Sequence, residues 1–169
     1  MRSSSVFSPR ESSIRRGQWS DTLSFSSGRH LWKSGVDVLV DRDSGEIRLL
    51  RAVMAADAGQ VVNPDGLSNQ IEGGFVQAAS WTLYEQVTFD RSGITSRDWD
   101  SYPILRFTNA PVIETVILNR PNFPFVGAGE ATQNPTPAAI ANAVYDAVGI
   151  RLREIPFTPE RVKAALAED

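Results

Sequence analysis

Hydrophobic and polar residues alternate most regularly between residues 36 and 56. Val36, Val38 and Val40 recur at every second position, and a second strand-like run occupies residues 46–56. The segment between them, residues 41–45, is made of Asp, Arg, Ser and Gly, a composition typical of a tight turn. A period of two residues is the spacing of a strand, so this pattern predicts a β-hairpin.

A helix is predicted shortly after this hairpin. Asn63 is a favourable N-cap residue, Pro64 suits the first helical position, and apolar residues then recur at helical spacing up to residue 81. Gly73 and Gly74 lie inside this helix, where each glycine costs roughly 1 kcal/mol relative to alanine. The pair therefore indicates the close approach either of another chain segment or of a ligand, and the sequence leaves both interpretations open.

The remaining pattern predicts strands and helices that are segregated along the chain. A second hairpin is predicted at residues 85–96 and a further strand at residues 112–119. Thr136 is predicted to cap a helix that ends at Gly149, and a short last helix is predicted from Thr158. Because strands and helices do not alternate regularly, we expect an α+β fold in which hairpins and a sheet pack with two or three helices.

Serine and arginine dominate residues 1–34, which offer little apolar surface to bury. We therefore expect this segment to be disordered or extended, a leader foreign to the domain at residues 35–169. Arg15 and Arg16 would suit a twin-arginine export signal, but the apolar core of roughly 7–15 residues that such a signal needs is missing. No signal peptide is expected, and the sequence assigns no compartment to what we expect to be a soluble protein.

Composition excludes several classes of function. No apolar run approaches the roughly 20 residues of a membrane span, and a net charge of −3 offers no basic surface for nucleic acid. The chain has no cysteine, so any iron–sulfur cluster must lie on another subunit, and His30 is the only histidine. We expect no metal ligands here, and any catalysis must depend on carboxylates or on a cofactor.

Glu130 is the strongest candidate for a catalytic residue. It ends the segment Gly127-Ala128-Gly129-Glu130, in which the glycines allow the backbone to approach a ligand closely and place the carboxylate before the next helix. A glycine-rich turn that ends in Glu is most often a solvated loop. This segment alone therefore does not distinguish a catalytic carboxylate from an ordinary surface residue. Asp57 flanks a turn, and we interpret it as a cap for backbone amides.

Five segments together resemble one protein family, in the order that family has them. They are Val38-Leu39-Val40-Asp41-Arg42-Asp43-Ser44-Gly45-Glu46-Ile47, Asp57-Ala58-Gly59-Gln60-Val61-Val62-Asn63-Pro64-Asp65, Gln70-Ile71-Glu72-Gly73-Gly74, Asp100-Ser101-Tyr102-Pro103-Ile104 and Gly127-Ala128-Gly129-Glu130. Over residues 35–169 the chain resembles the C-terminal part of the large, molybdenum-binding subunit of the xanthine dehydrogenase and aldehyde oxidase family. Bacterial enzymes that oxidise nicotinate, isoquinoline or aldehydes are the most similar branch.

This resemblance implies roles for individual residues. Glu130 would be the general base beside the metal, taking a proton from the water-derived oxygen that attacks an electron-poor carbon of an aldehyde or N-heteroaromatic substrate. Gln70 would contact molybdopterin, although an ordinary surface glutamine is the alternative. The backbone of Gly127, Ala128 and Gly129 would lie against the same cofactor.

The resemblance also implies that the chain works with partners. The family's molybdenum-binding subunit is several times longer, so the remainder of that subunit and an iron–sulfur subunit would complete the enzyme. An exposed apolar face is expected where they dock, and the isolated chain could self-associate through it. The alternative is a truncated, non-catalytic fragment that acts at most as an association module.

Overall fold

The computed structural model describes the backbone of residues 14–25 and all of residues 31–168. Six strands lie in this part of the chain: β1 (Ile14–Phe25), β2 (Leu31–Asp41), β3 (Ile47–Asp57), β4 (Phe89–Asp90), β5 (Gly93–Ile94) and β6 (Val112–Ile117). Four of them form one sheet in the order β1-β2-β3-β6, while β4 and β5 form a separate ribbon. Strands β1 to β3 pair antiparallel, and β6 pairs parallel to β3.

The predicted hairpin is confirmed as β2 and β3. The Asp41 side chain accepts hydrogen bonds from the amides of Asp43 and Ser44 at 2.9 and 3.2 Å, which closes the turn. Gly45 follows with φ of 80°, a left-handed conformation that glycine adopts without steric penalty. The turn is thus encoded locally, as its composition indicated.

Three helices pack with the sheet: α1 (Pro64–Leu83), α2 (Thr136–Val148) and α3 (Pro159–Glu168). The start of α1 is as predicted, because the side chain of Asn63 accepts the Gly66 amide at 2.9 Å. The core between sheet and helices is apolar; it includes Val36, Val38, Val40, Ala52, Met54, Ala56, Ile71, Phe75, Ile140, Val144 and Val162. This is the α+β fold that the pattern predicted.

The start of α2 differs from the prediction. Thr136 does not cap the helix from outside; it is the first helical residue, and Pro135 occupies the N-cap position without a side-chain hydrogen bond. The reason is local, because the buried Thr136 hydroxyl donates instead to the carbonyl of Thr132 at 2.7 Å. The predicted end is confirmed, since Gly149 adopts φ of 84°.

The outer face of β6 is exposed. Val112 and Val116 alternate with the half-buried Ile113 and Ile117, as the predicted two-residue period requires. Val112 keeps 65% of its surface exposed, and Leu118, just beyond the strand, keeps 44%. Apolar surface therefore remains uncovered at this edge of the sheet.

Part of the segment predicted as a leader belongs to the sheet. Ile14–Phe25 pairs with β2, and residues 31–34 are the first residues of β2 itself. Of the two predicted states, disordered or extended, these residues have the extended one, and the side chain of Trp32 is buried. Residues 1–13 and 26–30 lie outside the described residues, and the division at residue 35 stays a prediction.

No helix in the described ranges combines the length and the apolar character needed to cross a membrane.

Candidate functional site

The candidate site lies on the loop that connects β6 to α2. The first part of this loop runs beside the end of β3 and the residues that follow it, parallel as far as Arg120 and then back towards Ala58. The backbone hydrogen bonds involved are Leu118 N to Ala56 O (2.9 Å), Arg120 N to Gly59 O (2.9 Å), Gln60 N to Phe123 O (3.2 Å) and Val126 N to Ala58 O (3.1 Å). The loop is therefore fixed to the sheet as far as residue 126.

Asp57 and Arg120 strengthen this attachment. Asp57, which is buried, accepts the Gly59 amide at 3.1 Å, confirming the cap that the sequence predicted. The same carboxylate binds Arg120, with Nε to Oδ1 at 3.0 Å and Nη2 to Oδ2 at 2.7 Å. Sequence reasoning missed this ion pair, because 63 residues separate its members.

The apex of the loop, residues 127–129, differs from residues 118–126 in its backbone hydrogen bonding. In the described part of the chain, the amides of Gly127, Ala128 and Gly129 have no hydrogen-bond partner. No heavy atom lies within 4 Å of the position that a Cβ on Gly127 would occupy, so that side of the loop is open. The apex thus contains a short run of backbone donors without a partner among the described residues.

Gln70 lies next to this apex. It is exposed on α1, and its Nε2 atom is 3.8 Å from the position that a Cβ on Gly129 would take. The structure therefore brings two of the predicted cofactor-binding positions close together, although they are far apart in the sequence. The absence of a Cβ at Gly129 leaves room between the loop and the side-chain amide.

Glu130 follows the apex directly and is exposed. Its carbonyl accepts the Gln133 amide at 3.1 Å, which starts the turns that lead into α2. Its carboxylate forms no ion pair or hydrogen bond with another described residue. The carboxylate of Glu130 thus remains available to a ligand, with Gln70 on the neighbouring helix.

Thr132 anchors the far end of the loop, a role that sequence reasoning missed. This side chain is 2% exposed, and its hydroxyl donates to the carbonyl of Ile71 in α1 at 2.9 Å. Next to it, the side chain of Gln133 donates to that of Gln77, also in α1, at 2.6 Å. The only signal in the sequence was the position of Thr132 two residues after Glu130.

The two glycines of α1 have different roles. At Gly74 a Cβ would overlap the Thr132 hydroxyl, so close packing explains this glycine. At Gly73 a Cβ would meet no heavy atom within 4 Å. Gly73 instead borders an open groove between α1 and residues 105–113, in which Phe107 is 96% exposed. The ligand interpretation therefore stays open for Gly73 alone.

Comparison with protein families gives one match that covers most of the chain. A family model described as "Molybdopterin cofactor-binding domain" matches residues 6–111. Gln70 lies inside the matched range, whereas the loop that carries Glu130 follows it.

Three similar proteins are named as dehydrogenases or oxidoreductases. One subunit of the nicotinate dehydrogenase of Pseudomonas putida is 48% identical over 136 residues, which cover 80% of this chain and 12% of that protein. Quinoline 2-oxidoreductase from Pseudomonas putida 86 superposes with a TM-score of 0.75 at 27% identity, covering 82% of this chain and 19% of the other. For the aldehyde oxidoreductase of Desulfovibrio gigas the TM-score is 0.72 at 28% identity, covering 82% and 15%. The chain therefore spans less than a fifth of each of these relatives.

Proposed function

Because the chain belongs to the xanthine dehydrogenase and aldehyde oxidase family of molybdenum hydroxylases and corresponds to part of their molybdopterin-binding subunit, we propose that it supplies the general base of such an enzyme. The proposed reaction is the hydroxylation of an aldehyde or N-heteroaromatic carbon with oxygen derived from water. Glu130 is the base, and Gln70, Gly127, Ala128 and Gly129 contact the cofactor.

The contact between the loop and α1 is the observation that carries this proposal. The Nε2 atom of Gln70 is 3.8 Å from the position that a Cβ on Gly129 would take, and Glu130 is the next residue along the chain. An acid–base residue must be held in fixed geometry beside its reaction partner. The proposal is supported by a carboxylate that has no partner among the described residues, on a loop whose apex lies near the Gln70 amide.

These residues fit a cofactor such as molybdopterin, which is rich in hydrogen-bonding groups. The amides at 127–129 have no partner in the described part of the chain and can donate, while Gln70 can both donate and accept. Molybdopterin, when bound, supplies the redox-active metal that takes up the electrons of the oxidation. The chain's own contribution is to bind and orient that group and to hold a proton acceptor beside it.

Glu130 would remove the proton from the oxygen that attacks the substrate carbon. A carboxylate working near neutral pH benefits from partial desolvation, because burial favours its neutral form and raises its pKa. Glu130 is exposed in this chain. We therefore propose that another part of the enzyme covers the loop, excludes water and supplies the substrate pocket.

The proposed partners are the remainder of the molybdenum-binding subunit and an iron–sulfur subunit. The exposed apolar residues of β6 offer them a docking surface. The same surface supports the expected self-association of the isolated chain.

A second candidate function is a non-catalytic fragment that serves as an association module. The observation favouring it is the apolar surface of β6, where Val112 is 65% exposed and Val116 48%. The two candidates differ in one measurable property, because only the first requires the carboxylate of Glu130 for turnover.

The test compares Glu130→Gln with Glu168→Gln, an exposed position in α3 that serves as the matched control. Each variant is produced together with the polypeptides proposed as its partners, the remainder of the molybdenum-binding subunit and the iron–sulfur subunit. The purified complex is assayed with nicotinate, quinoline and benzaldehyde. We expect Glu130→Gln to lower kcat about 10²–10⁴-fold, the usual contribution of a general base, with molybdenum content unchanged. Normal turnover in that variant would refute the assignment. A wild-type complex without molybdenum would favour the association module.

A further inference from the structure

The loop that carries Glu130 is attached at two points on either side of its apex. On one side the Val126 amide binds the carbonyl of Ala58 at 3.1 Å. On the other side the Thr132 hydroxyl binds the carbonyl of Ile71 at 2.9 Å. Only residues 127–131 lie between these attachments, and Glu130 is among them.

The attachment through Thr132 reaches α1 beside Gln70. Its acceptor, the carbonyl of Ile71, belongs to the residue that follows Gln70 in the helix. Gly74 makes this contact possible, because a Cβ at that position would occupy the space of the Thr132 hydroxyl. A hydrogen bond to Ile71 therefore fixes the chain two residues after Glu130 to the backbone that carries Gln70.

We propose that Thr132 is a positioning residue, whose hydroxyl holds Glu130 at a defined distance from Gln70 and from any group bound between them. Thr132 itself is buried and does not reach the open side of the loop. It acts through the backbone of the turn, in which the Gln133 amide donates to the carbonyl of Glu130 at 3.1 Å. The consequence for catalysis rests on the proposed function of Glu130, whereas the attachment itself does not.

Thr82 provides a matched control in the same helix. Its side chain is also fully buried, and its hydroxyl donates to a helical carbonyl, that of Ala78, at 2.6 Å. It does not contact the Glu130 loop through this bond. Thr82→Val and Thr132→Val are therefore the same chemical change, one within α1 and one at the attachment.

The first experiment measures amide hydrogen exchange at single residues by NMR in the full chain. Loss of one hydrogen bond from a local closed state is expected to speed local exchange by about tenfold. Thr132→Val should therefore raise exchange at Gln133 about tenfold and leave Tyr84, whose amide donates to Ser80, unchanged. Thr82→Val should raise exchange at Tyr84 about tenfold and leave exchange at Gln133 unchanged. Unchanged exchange at Gln133 in Thr132→Val would overturn the proposal.

Two further variants keep this test decisive. Thr132→Ser retains the hydroxyl and should restore slow exchange at Gln133. Gly74→Ala displaces the hydroxyl without removing it and should reproduce the fast exchange, even if Thr132→Val fails to fold. Slow exchange at Gln133 in a folded Gly74→Ala protein would contradict the role assigned to the Thr132 hydroxyl.

The second experiment measures steady-state kinetics in the complex described above, with whichever of the three substrates the wild type oxidises. Misplacement of a catalytic group by about 1 Å can lower a rate about 100-fold. We expect Thr132→Val to lower kcat about 10–100-fold with KM within about twofold, and Thr132→Ser and Thr82→Val to keep wild-type values. If Glu130→Gln is inactive but Thr132→Val has normal kcat, the positioning role is refuted. If Glu130→Gln turns over normally, the proposed function is refuted, while the exchange result still decides whether the attachment exists.

Discussion

The two adjacent glycines of α1 give a paired test of the packing between this helix and the Glu130 loop. The perturbations are Gly73→Ala and Gly74→Ala, one methyl group each at consecutive helical positions. Gly73 is exposed and a Cβ there meets no heavy atom within 4 Å, whereas Gly74 is buried and a Cβ there overlaps the hydroxyl of Thr132. The two variants should therefore change stability in opposite directions.

The expected changes follow from three contributions to the free energy of unfolding. Both variants gain the helix propensity of alanine over glycine, about 1 kcal/mol. At Gly74 the added methyl displaces the Thr132 hydroxyl from the carbonyl of Ile71, and a buried polar group left unsatisfied costs about 1–3 kcal/mol. Overpacking of a filled site costs a further 1–3 kcal/mol or so. We therefore expect Gly73→Ala to raise the free energy of unfolding by about 1 kcal/mol and Gly74→Ala to lower it by about 3 kcal/mol.

Urea unfolding followed by circular dichroism measures this difference, and thermal unfolding gives a second reading. For a chain of this size about 1 kcal/mol corresponds to a shift of about 2–4 °C in Tm. The expected shifts are therefore about +3 °C for Gly73→Ala and about −9 °C for Gly74→Ala. If Gly74→Ala is as stable as Gly73→Ala, the loop does not pack on α1 as described.

Three further variants test side-chain contacts that join the segments of β3 and β6. Asp57→Ala removes the acceptor of the Gly59 amide and the carboxylate that binds Arg120, so it should lower the free energy of unfolding by about 1–3 kcal/mol. Asp57→Asn keeps an oxygen for that amide and should lose less in the same urea titration; equal losses would contradict the capping role. The hydrogen bond from Arg51 holds the pKa of Glu114 below its ordinary value of 4.5, so the stabilisation is present above that pH and is lost as the pH falls through the lowered pKa. The difference in urea midpoint between wild type and Glu114→Gln should therefore shrink in acid, and a constant difference from pH 7 to pH 3 or so would refute this linkage.

Local signals in the sequence determined much of the fold. Alternating valines predicted the hairpin, Asn63 with Pro64 marked the start of α1, and Gly149 marked the end of α2. Each of these features depends on residues close together in the chain, where backbone preference and side-chain capping act directly. The predicted cap at Thr136 was wrong, because its hydroxyl found a nearer acceptor in the preceding turn, at the carbonyl of Thr132.

The sequence also indicated the residues of the candidate site without their arrangement. Glycines on either side of Ala128 marked a loop that could approach a ligand, and the order of five segments assigned the family. Neither pattern showed that Gln70 lies beside Gly129, or that only one of the two helix glycines is needed for packing.

Only the tertiary structure decided how the loop is held. The bond between Asp57 and Arg120 joins residues 63 positions apart, and the bond between Thr132 and Ile71 joins residues 61 apart. Such contacts depend on β6 pairing parallel to β3, with α1 between them in the chain. Hydrophobic periodicity records which face of a strand or helix is buried, but it carries no information about which distant segment covers that face. The sequence therefore predicted Glu130 as a candidate base, and the packing of the loop against α1 decided that Gly129, the residue before it, lies near Gln70.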